Sequence, residues 1–138
     1  MIVVDTNVIV CTLIEGPQTV LARRVYTLDP IWRLPDLWRH ECLNVLSSYV
    51  NRKGMALDRA CTLWNDAVRL FGHCSRPVDM IRALRLAASN GISTYDAQFV
   101  SLAQQLNVIC VTEDRRLQVK FPELAVSMRA VCAAAGPI

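Results

Sequence analysis

The sequence begins with Met1-Ile2-Val3-Val4-Asp5-Thr6-Asn7-Val8-Ile9-Val10, an apolar run that is interrupted by three small polar residues. Apolar residues without polar alternation predict a strand that is buried on both faces, as in the middle of a parallel sheet. The polar triplet would then lie at the carboxyl end of that strand, where open α/β sheets bind their ligands. Asp5, Thr6 and Asn7 are also favourable helix N-caps, so this stretch alone leaves a functional site and a simple cap both open.

Strands and helices alternate along the rest of the chain, which predicts a parallel sheet covered by helices on both faces. Further strands are predicted at 31–34, 108–111 and 124–126, and the clearest helix covers 57–71, where apolar residues recur every 3.6 positions. Other helices are expected after Pro17, Pro35 and Pro77 and from Ser93 to Leu106. Their predicted inward residues include Val20, Leu21, Val25 and Leu28 after Pro17, and Val78, Ile81, Leu84 and Ala88 after Pro77. We expect a single domain over 1–138, with about 132–138 as a loose tail.

Composition limits the class of protein. A chain of 138 residues can bury a core without disulfides or metals. No stretch is apolar enough to span a membrane, and an acid at position 5 without a basic flank argues against a secretory signal. The six cysteines have no CxxC spacing and lie mostly in apolar segments, which predicts reduced thiols in a cytoplasmic protein.

The charges are unevenly divided between residue types. Lysine and arginine total 15, of which 13 are arginine, against 12 acids, for a net charge of +3. If four of the acids gather in one site, the remaining surface is strongly basic. Arginine suits phosphate better than lysine does, which points toward nucleic acid, although a GC-rich genome would also enrich arginine.

One acid lies on a helix face that should pack inward. Glu41 follows Trp38 by three residues and precedes Val45 by four, so the three share one face of the predicted helix. An acid there is costly unless its charge is compensated. Glu41 is therefore either part of a site or an acid at the edge of the stripe that reaches solvent or an arginine.

Two further acids lie at predicted helix starts. Asp96 is in a first helical turn, and Asp114 follows the predicted strand 108–111, so helix capping explains each of them alone. Asp5 and Asp114, however, follow buried strands at the same end of a parallel sheet. Carboxylates that converge to about 5 Å repel by roughly 3 kcal/mol per pair at an effective dielectric near 20. A divalent cation relieves this repulsion, and oxygen-only ligands favour Mg²⁺ or Mn²⁺.

Four motifs occur in order along nearly the whole chain: Asp5-Thr6-Asn7-Val8; Pro35-Asp36-Leu37 with Glu41 and Asn44-Val45-Leu46; Thr94-Tyr95-Asp96-Ala97 with Leu102-Ala103; and Thr112-Glu113-Asp114-Arg115-Arg116-Leu117. Each is weak by itself. Together they resemble the PIN domain, specifically the VapC-like toxin ribonucleases.

The resemblance implies a three-layer α/β/α sandwich with a central parallel sheet and an Mg²⁺- or Mn²⁺-dependent endoribonuclease that hydrolyses RNA phosphodiester bonds. It also implies the toxin of a type II toxin and antitoxin pair, with an antitoxin protein and a second copy of the chain as partners. The implied catalytic and metal-binding acids are Asp5, Glu41, Asp96 and Asp114, supported by Thr6, Asn7, Thr94 and Thr112. Either Glu113 or Asp114 could reach the metal, and one or two ions could act. Arg116 stands where some relatives carry an additional acid.

A non-catalytic PIN-like module that binds RNA or protein is the alternative. For RNA contact the candidates are Arg115, Arg116 and Arg39. His40 and His73 are both predicted to be surface residues. On its helix His40 faces about 100° away from Glu41. Trp32, Trp38 and Trp64 are predicted to anchor the core, and the helix of Trp64 or of Trp38 is a candidate dimer face.

Overall fold

The computed structural model describes residues 1–137 and contains a four-stranded, all-parallel sheet with the strand order β2-β1-β3-β4. The strands are β1 (Ile2–Val4), β2 (Trp32–Arg33), β3 (Cys110–Val111) and β4 (Ala125–Val126). In the register Ile2 lies opposite Trp32, and Val3 lies opposite Cys110. Every residue of β1 is buried, as expected for a central strand with helices on both faces.

In the described part of the chain, eight α-helices cover the sheet and complete the predicted three-layer α/β/α fold. They are α1 (Thr6–Leu13), α2 (Thr19–Leu28), α3 (Trp38–Lys53), α4 (Leu57–Phe71), α5 (Met80–Asn90), α6 (Thr94–Leu106), α7 (Arg115–Lys120) and α8 (Met128–Ala134). A 3₁₀ turn at Gly72–Cys74 joins α4 to the segment before α5. None of the helices in the described part of the chain is long and apolar enough to cross a membrane. All six cysteines are free thiols.

Two tryptophans are completely buried, as predicted. The Trp32 ring stacks on Phe71 with centroids 5.5 Å apart and meets Tyr26 edge-on at 5.1 Å. Trp38 donates its indole N–H to the Ser75 hydroxyl at 2.9 Å. Trp64 is only half-buried and lies 6.1 Å from Trp38 between ring centroids, so it borders the core.

The predicted inward faces of α2 and α5 are partly wrong. Val20 is 78% exposed and Leu28 is also exposed, although Val25 is buried as expected. In α5 the predicted residues Ile81, Leu84 and Ala88 are exposed. Instead Ala83 and Ala87 form a small cluster with Ala97 of α6. These small side chains let the two helix backbones approach closely, so the larger residues of α5 lie on the outside.

The first part of the expected loose tail, residues 132–134, is helical instead, whereas residues 135–137 follow the last helix. Residues 128–134 form α8, which Ser127 caps by accepting a hydrogen bond from the Ala130 backbone N–H at 3.0 Å. Met128 and Cys132, four residues apart on one helix face, are both buried. That apolar pair attaches α8 to the main core and keeps the chain ordered through Ala134.

Candidate active site

Asp5 lies between the end of β1 and the start of α1 and has only 8% of its surface exposed. Its Oδ1 accepts a hydrogen bond from the Thr6 backbone N–H at 2.7 Å, which makes it the N-cap of α1. Its Oδ2 accepts hydrogen bonds from the Thr112 hydroxyl at 2.7 Å and from the Asn7 side-chain amide at 3.4 Å. Three donors from two neighbouring strand ends therefore fix one buried carboxylate.

Burial raises the pKa of Asp5 from its ordinary value of 3.8 to about 6. The hydrogen bonds from Thr112 and Thr6 oppose this shift, while the negative charges of Glu41 and Asp96 add to it. Asp5 is thus coupled electrostatically to two acids that lie far from it in sequence.

Glu41 lies on α3, where it is half-buried and faces the start of α1. Its Oε1 accepts a hydrogen bond from the Thr6 hydroxyl at 2.8 Å. Burial raises the pKa of Glu41, and the charge of Asp96 raises it further. The contact with Thr6 directs the Glu41 carboxylate toward the end of β1, and within the described residues no arginine pairs with it.

Asp96 and Asp114 face each other across the starts of α6 and α7. Asp96 is in the first turn of α6, and its backbone N–H donates to the hydroxyl of the N-cap Ser93 at 3.1 Å. Asp114 is the N-cap of α7 and accepts a hydrogen bond from the Arg116 backbone N–H at 2.8 Å. Burial raises the pKa of Asp96, the charge of Asp114 raises it further, and the Arg116 guanidinium lowers it.

Thr112 connects the two strand ends of the site. It has no exposed surface, donates its hydroxyl to Asp5 and accepts the Asp114 backbone N–H at 3.0 Å. Asn7 adds a second, longer link, since its Oδ1 accepts the Glu113 backbone N–H at 3.5 Å. Thr6, Asn7 and Thr112 therefore lie where support residues are expected. The fourth, Thr94, is exposed at the start of α6 and takes no part in these side-chain contacts within residues 1–137.

Glu113 is directed away from the other acids. Its Oε1 accepts the backbone N–H of Met128, the first residue of α8, at 2.7 Å. Burial raises the pKa of the Cys11 thiol on α1, and the negative charge of Glu113 raises it further. Its carboxylate is thus occupied between α1 and α8, whereas Asp114 faces Asp96. This geometry favours Asp114 over its neighbour as the site residue.

Arg39 is held by contacts within the fold. Its guanidinium donates to Asp36 Oδ1 at 2.9 Å and to the Gly72 carbonyl at 3.1 Å, and it lies 5.2 Å from the centre of the Trp38 ring. These contacts favour a packing role for Arg39.

Arg115 and Arg116 are exposed at the start of α7, beside the acids. His40 and His73 are exposed, as predicted.

The chemistry of the four acids fits a hard divalent cation, because all the available donors are oxygen atoms and the acids repel one another. The charges of Glu41 and Asp96 raise the pKa of Asp5, and the charge of Asp96 raises that of Glu41. The charge of Asp114, at the start of α7, raises the pKa of Asp96 in the same way. Within residues 1–137, however, no three His, Cys, Asp or Glu side chains are gathered tightly enough to form a ready-made metal site. A shared cation would have to draw these carboxylates together.

Comparisons with known proteins agree with this fold. The family model described as the PIN domain matches residues 2–122. Ribonuclease VapC3 from Pyrobaculum aerophilum is 29% identical over 127 residues, which cover 89% of this chain and 96% of that protein. The crystal structure of PAE2754 from the same organism shares the fold with a TM-score of 0.72 at 18% identity, over 96% of this chain and 94% of that chain. Because the family model spans most of the sequence, this chain belongs to the PIN domain family.

Proposed function

We propose that this protein is an Mg²⁺- or Mn²⁺-dependent endoribonuclease, the toxin of a toxin and antitoxin pair. The observation that carries the proposal is the buried Asp5, which is coupled to Glu41 and Asp96 at the edge where β1 and β3 end. The similarity to a protein named Ribonuclease VapC3 supports RNA as the substrate. The excess of arginine outside the site supports binding to a phosphate backbone.

Each acid has a distinct part in this proposal. Asp5 is the rigid ligand, since three hydrogen-bond donors fix its orientation. Asp96 and Asp114 would hold the cation from the side of α6 and α7. Glu41, oriented by the Thr6 hydroxyl, would bind a second ion or a water molecule of the first. When bound, the cation supplies charge neutralisation at the scissile phosphate and lowers the pKa of water.

Metal removal tests this function directly. Purified protein is expected to cleave single-stranded RNA in millimolar Mn²⁺, to lose all cleavage in excess EDTA, and to recover it when Mn²⁺ is restored. The measurement is the rate of product formation on a labelled RNA, with the melting temperature followed in parallel. Undiminished cleavage in EDTA would contradict the metal requirement. No cleavage together with no Mn²⁺-dependent thermal shift would favour the alternative, a non-catalytic binding module.

Glu113 and Asp114 are expected to respond differently to removal of charge. Glu113→Gln keeps the Oε1 acceptor for the Met128 N–H, so the free energy of unfolding should change by less than about 1 kcal/mol. Cleavage by this variant should stay within about twofold of wild type. Asp114→Asn is the matched comparison and should reduce cleavage strongly. If Glu113→Gln were the more damaging variant, the ligand assignment would be reversed.

An antitoxin and a second copy of the chain are the proposed protein partners. A mainly apolar groove of about 430 Å³ lies between α3 and α4, and Trp64 forms part of its wall. Leu43 and Leu57 on its rim are 47% and 66% exposed. The helices of Trp38 and Trp64 both line this groove, so it supports protein contact through either of the two candidate helices, although the Trp38 side chain itself is fully buried. A short neighbouring reading frame with a DNA-binding fold would support the antitoxin.

A further inference from the structure

The Arg116 guanidinium lies close to both Asp96, at the start of α6, and Asp114, at the start of α7. One guanidinium nitrogen, Nη2, is 3.7 Å from Asp96 Oδ2 and 3.5 Å from Asp114 Oδ2. Its side chain is 76% exposed, while each of the two carboxylates is only 24% exposed. The guanidinium therefore covers the acids from the solvent side and partly offsets their charge.

These contacts are loose for ion pairs. Charge-assisted N–H···O bonds are typically about 2.7–2.9 Å long, and both separations exceed that range. An exposed pair of this kind changes an equilibrium by only a small factor. The Arg116 side chain can therefore leave the carboxylates at little cost, whereas Asp5 is buried and firmly bonded.

We propose that Arg116 is the resident counter-ion of the metal-free site and that it exchanges the two carboxylates for an RNA phosphate when a divalent cation binds. The inference rests on the proposed function. A cation held by Asp96 and Asp114 needs the same carboxylate oxygens that Arg116 now faces, so the two compete. Once displaced, the guanidinium stays tethered at the rim of the site, beside the place that the scissile phosphate must occupy.

The neighbouring residue provides a matched control. Arg115 is also exposed in the first turn of α7, but within the described residues it forms no ion pair with Asp96 or Asp114. Removing either arginine lowers the net charge equally. Only Arg116 competes directly for the carboxylates. Comparing the two variants therefore distinguishes the loss of this ion pairing from the loss of one positive charge near the site.

Calorimetric titration with Mn²⁺ in the absence of RNA tests the competition. Arg116→Ala is expected to bind Mn²⁺ about two- to tenfold more tightly than wild type, because two weak ion pairs no longer have to break. Arg115→Ala should stay within about twofold. Unchanged or weaker Mn²⁺ binding by Arg116→Ala would overturn the inference, provided that wild type binds Mn²⁺ and cleaves RNA.

Steady-state cleavage at saturating Mn²⁺ tests the second half of the exchange. Arg116→Ala should then raise the KM for RNA several-fold with a smaller effect on kcat, and Arg116→Lys, which keeps a cation, should recover part of the loss. An unchanged KM in Arg116→Ala would exclude the phosphate contact. If wild type neither bound Mn²⁺ nor cleaved RNA, the proposed function itself would fail, and this inference with it.

Discussion

Asp5→Asn is expected to reduce RNA cleavage by about 100-fold or more and, at the same time, to stabilise the metal-free protein. Loss of a proposed direct ligand should exceed the 10- to 100-fold cost that is typical of residues supporting a metal site. Asparagine caps a helix about as well as aspartate, so α1 keeps its N-cap. The substitution removes the charge of a carboxylate that burial disfavours. It also replaces Oδ2, which accepts from the Thr112 hydroxyl and the Asn7 amide, by an NH2 group that cannot accept, and this loss subtracts from the gain. Activity and stability should therefore move in opposite directions.

The pH dependence of the free energy of unfolding shows whether the charged Asp5 stabilises or destabilises the folded protein. The pKa of Asp5 is about 6 in the folded protein, against an ordinary value of 3.8, so between these values the folded state holds more protons than the unfolded state. Stability from this residue is fully present below pH 3.8 and is lost as the pH rises through about 6. A shift of this size corresponds to about 3 kcal/mol at neutral pH, which is the upper limit of the gain expected in Asp5→Asn.

Urea unfolding in EDTA from pH 4 to pH 7 measures this prediction. Wild type should lose stability relative to Asp5→Asn across that interval, while the two proteins differ little at its acidic end. Asp58→Asn, the same change at an exposed acid of α4, should reproduce neither the gain in stability nor the loss of cleavage. An Asp5→Asn variant that is less stable than wild type at pH 7 would mean that Asp5 serves mainly as a cap.

The positions of Asp5 and Asp114 relative to the sheet could be predicted because they depend on chain topology. Both follow buried strands, and the carboxyl ends of parallel strands meet at one edge of the sheet. The inward face of α5 was not predictable in the same way. Apolar periodicity selects the largest residues, Ile81 and Leu84, whereas the helix packs through Ala83 and Ala87 because small residues allow a close approach.

The contacts that orient the acids depend on side-chain positions that sequence spacing does not determine. Glu113 and Asp114 are adjacent in sequence, yet one is bonded to α8 and the other faces Asp96. Arg116 is recognisable in the sequence as a candidate for RNA contact and as a departure from the acid that some relatives carry, but its place between two carboxylates depends on how α6 and α7 pack. The placement of the acids at one edge of the sheet thus follows from sequence, while the hydrogen bonds and ion pairs among them follow from packing.

Thr112→Val is expected to destabilise the protein by about 2–3 kcal/mol at pH 7 and to reduce cleavage by about 10- to 100-fold. Valine has nearly the shape of threonine, so no cavity forms in this fully buried position. The loss comes from two hydrogen bonds, the 2.7 Å bond to the Asp5 carboxylate and the 3.0 Å bond from the Asp114 backbone N–H. The activity should fall because both acids lose a group that orients them, although no proposed metal ligand is changed.

The effect of Thr112→Val should itself depend on pH. The Thr112 hydroxyl lowers the pKa of Asp5, so its removal makes the ionised carboxylate still less favourable. Below pH 4 Asp5 is protonated, the hydrogen bond is between neutral groups, and the destabilisation should shrink to about 1 kcal/mol.

Thr112→Ser keeps the hydroxyl and should retain most of the activity, with a loss of about 1 kcal/mol for the missing methyl group. Equal destabilisation of the valine variant at pH 4 and pH 7 would show that Thr112 acts through packing alone. A pH-dependent loss that serine rescues would instead place Thr112 in the network that holds a charged Asp5 beside Asp114.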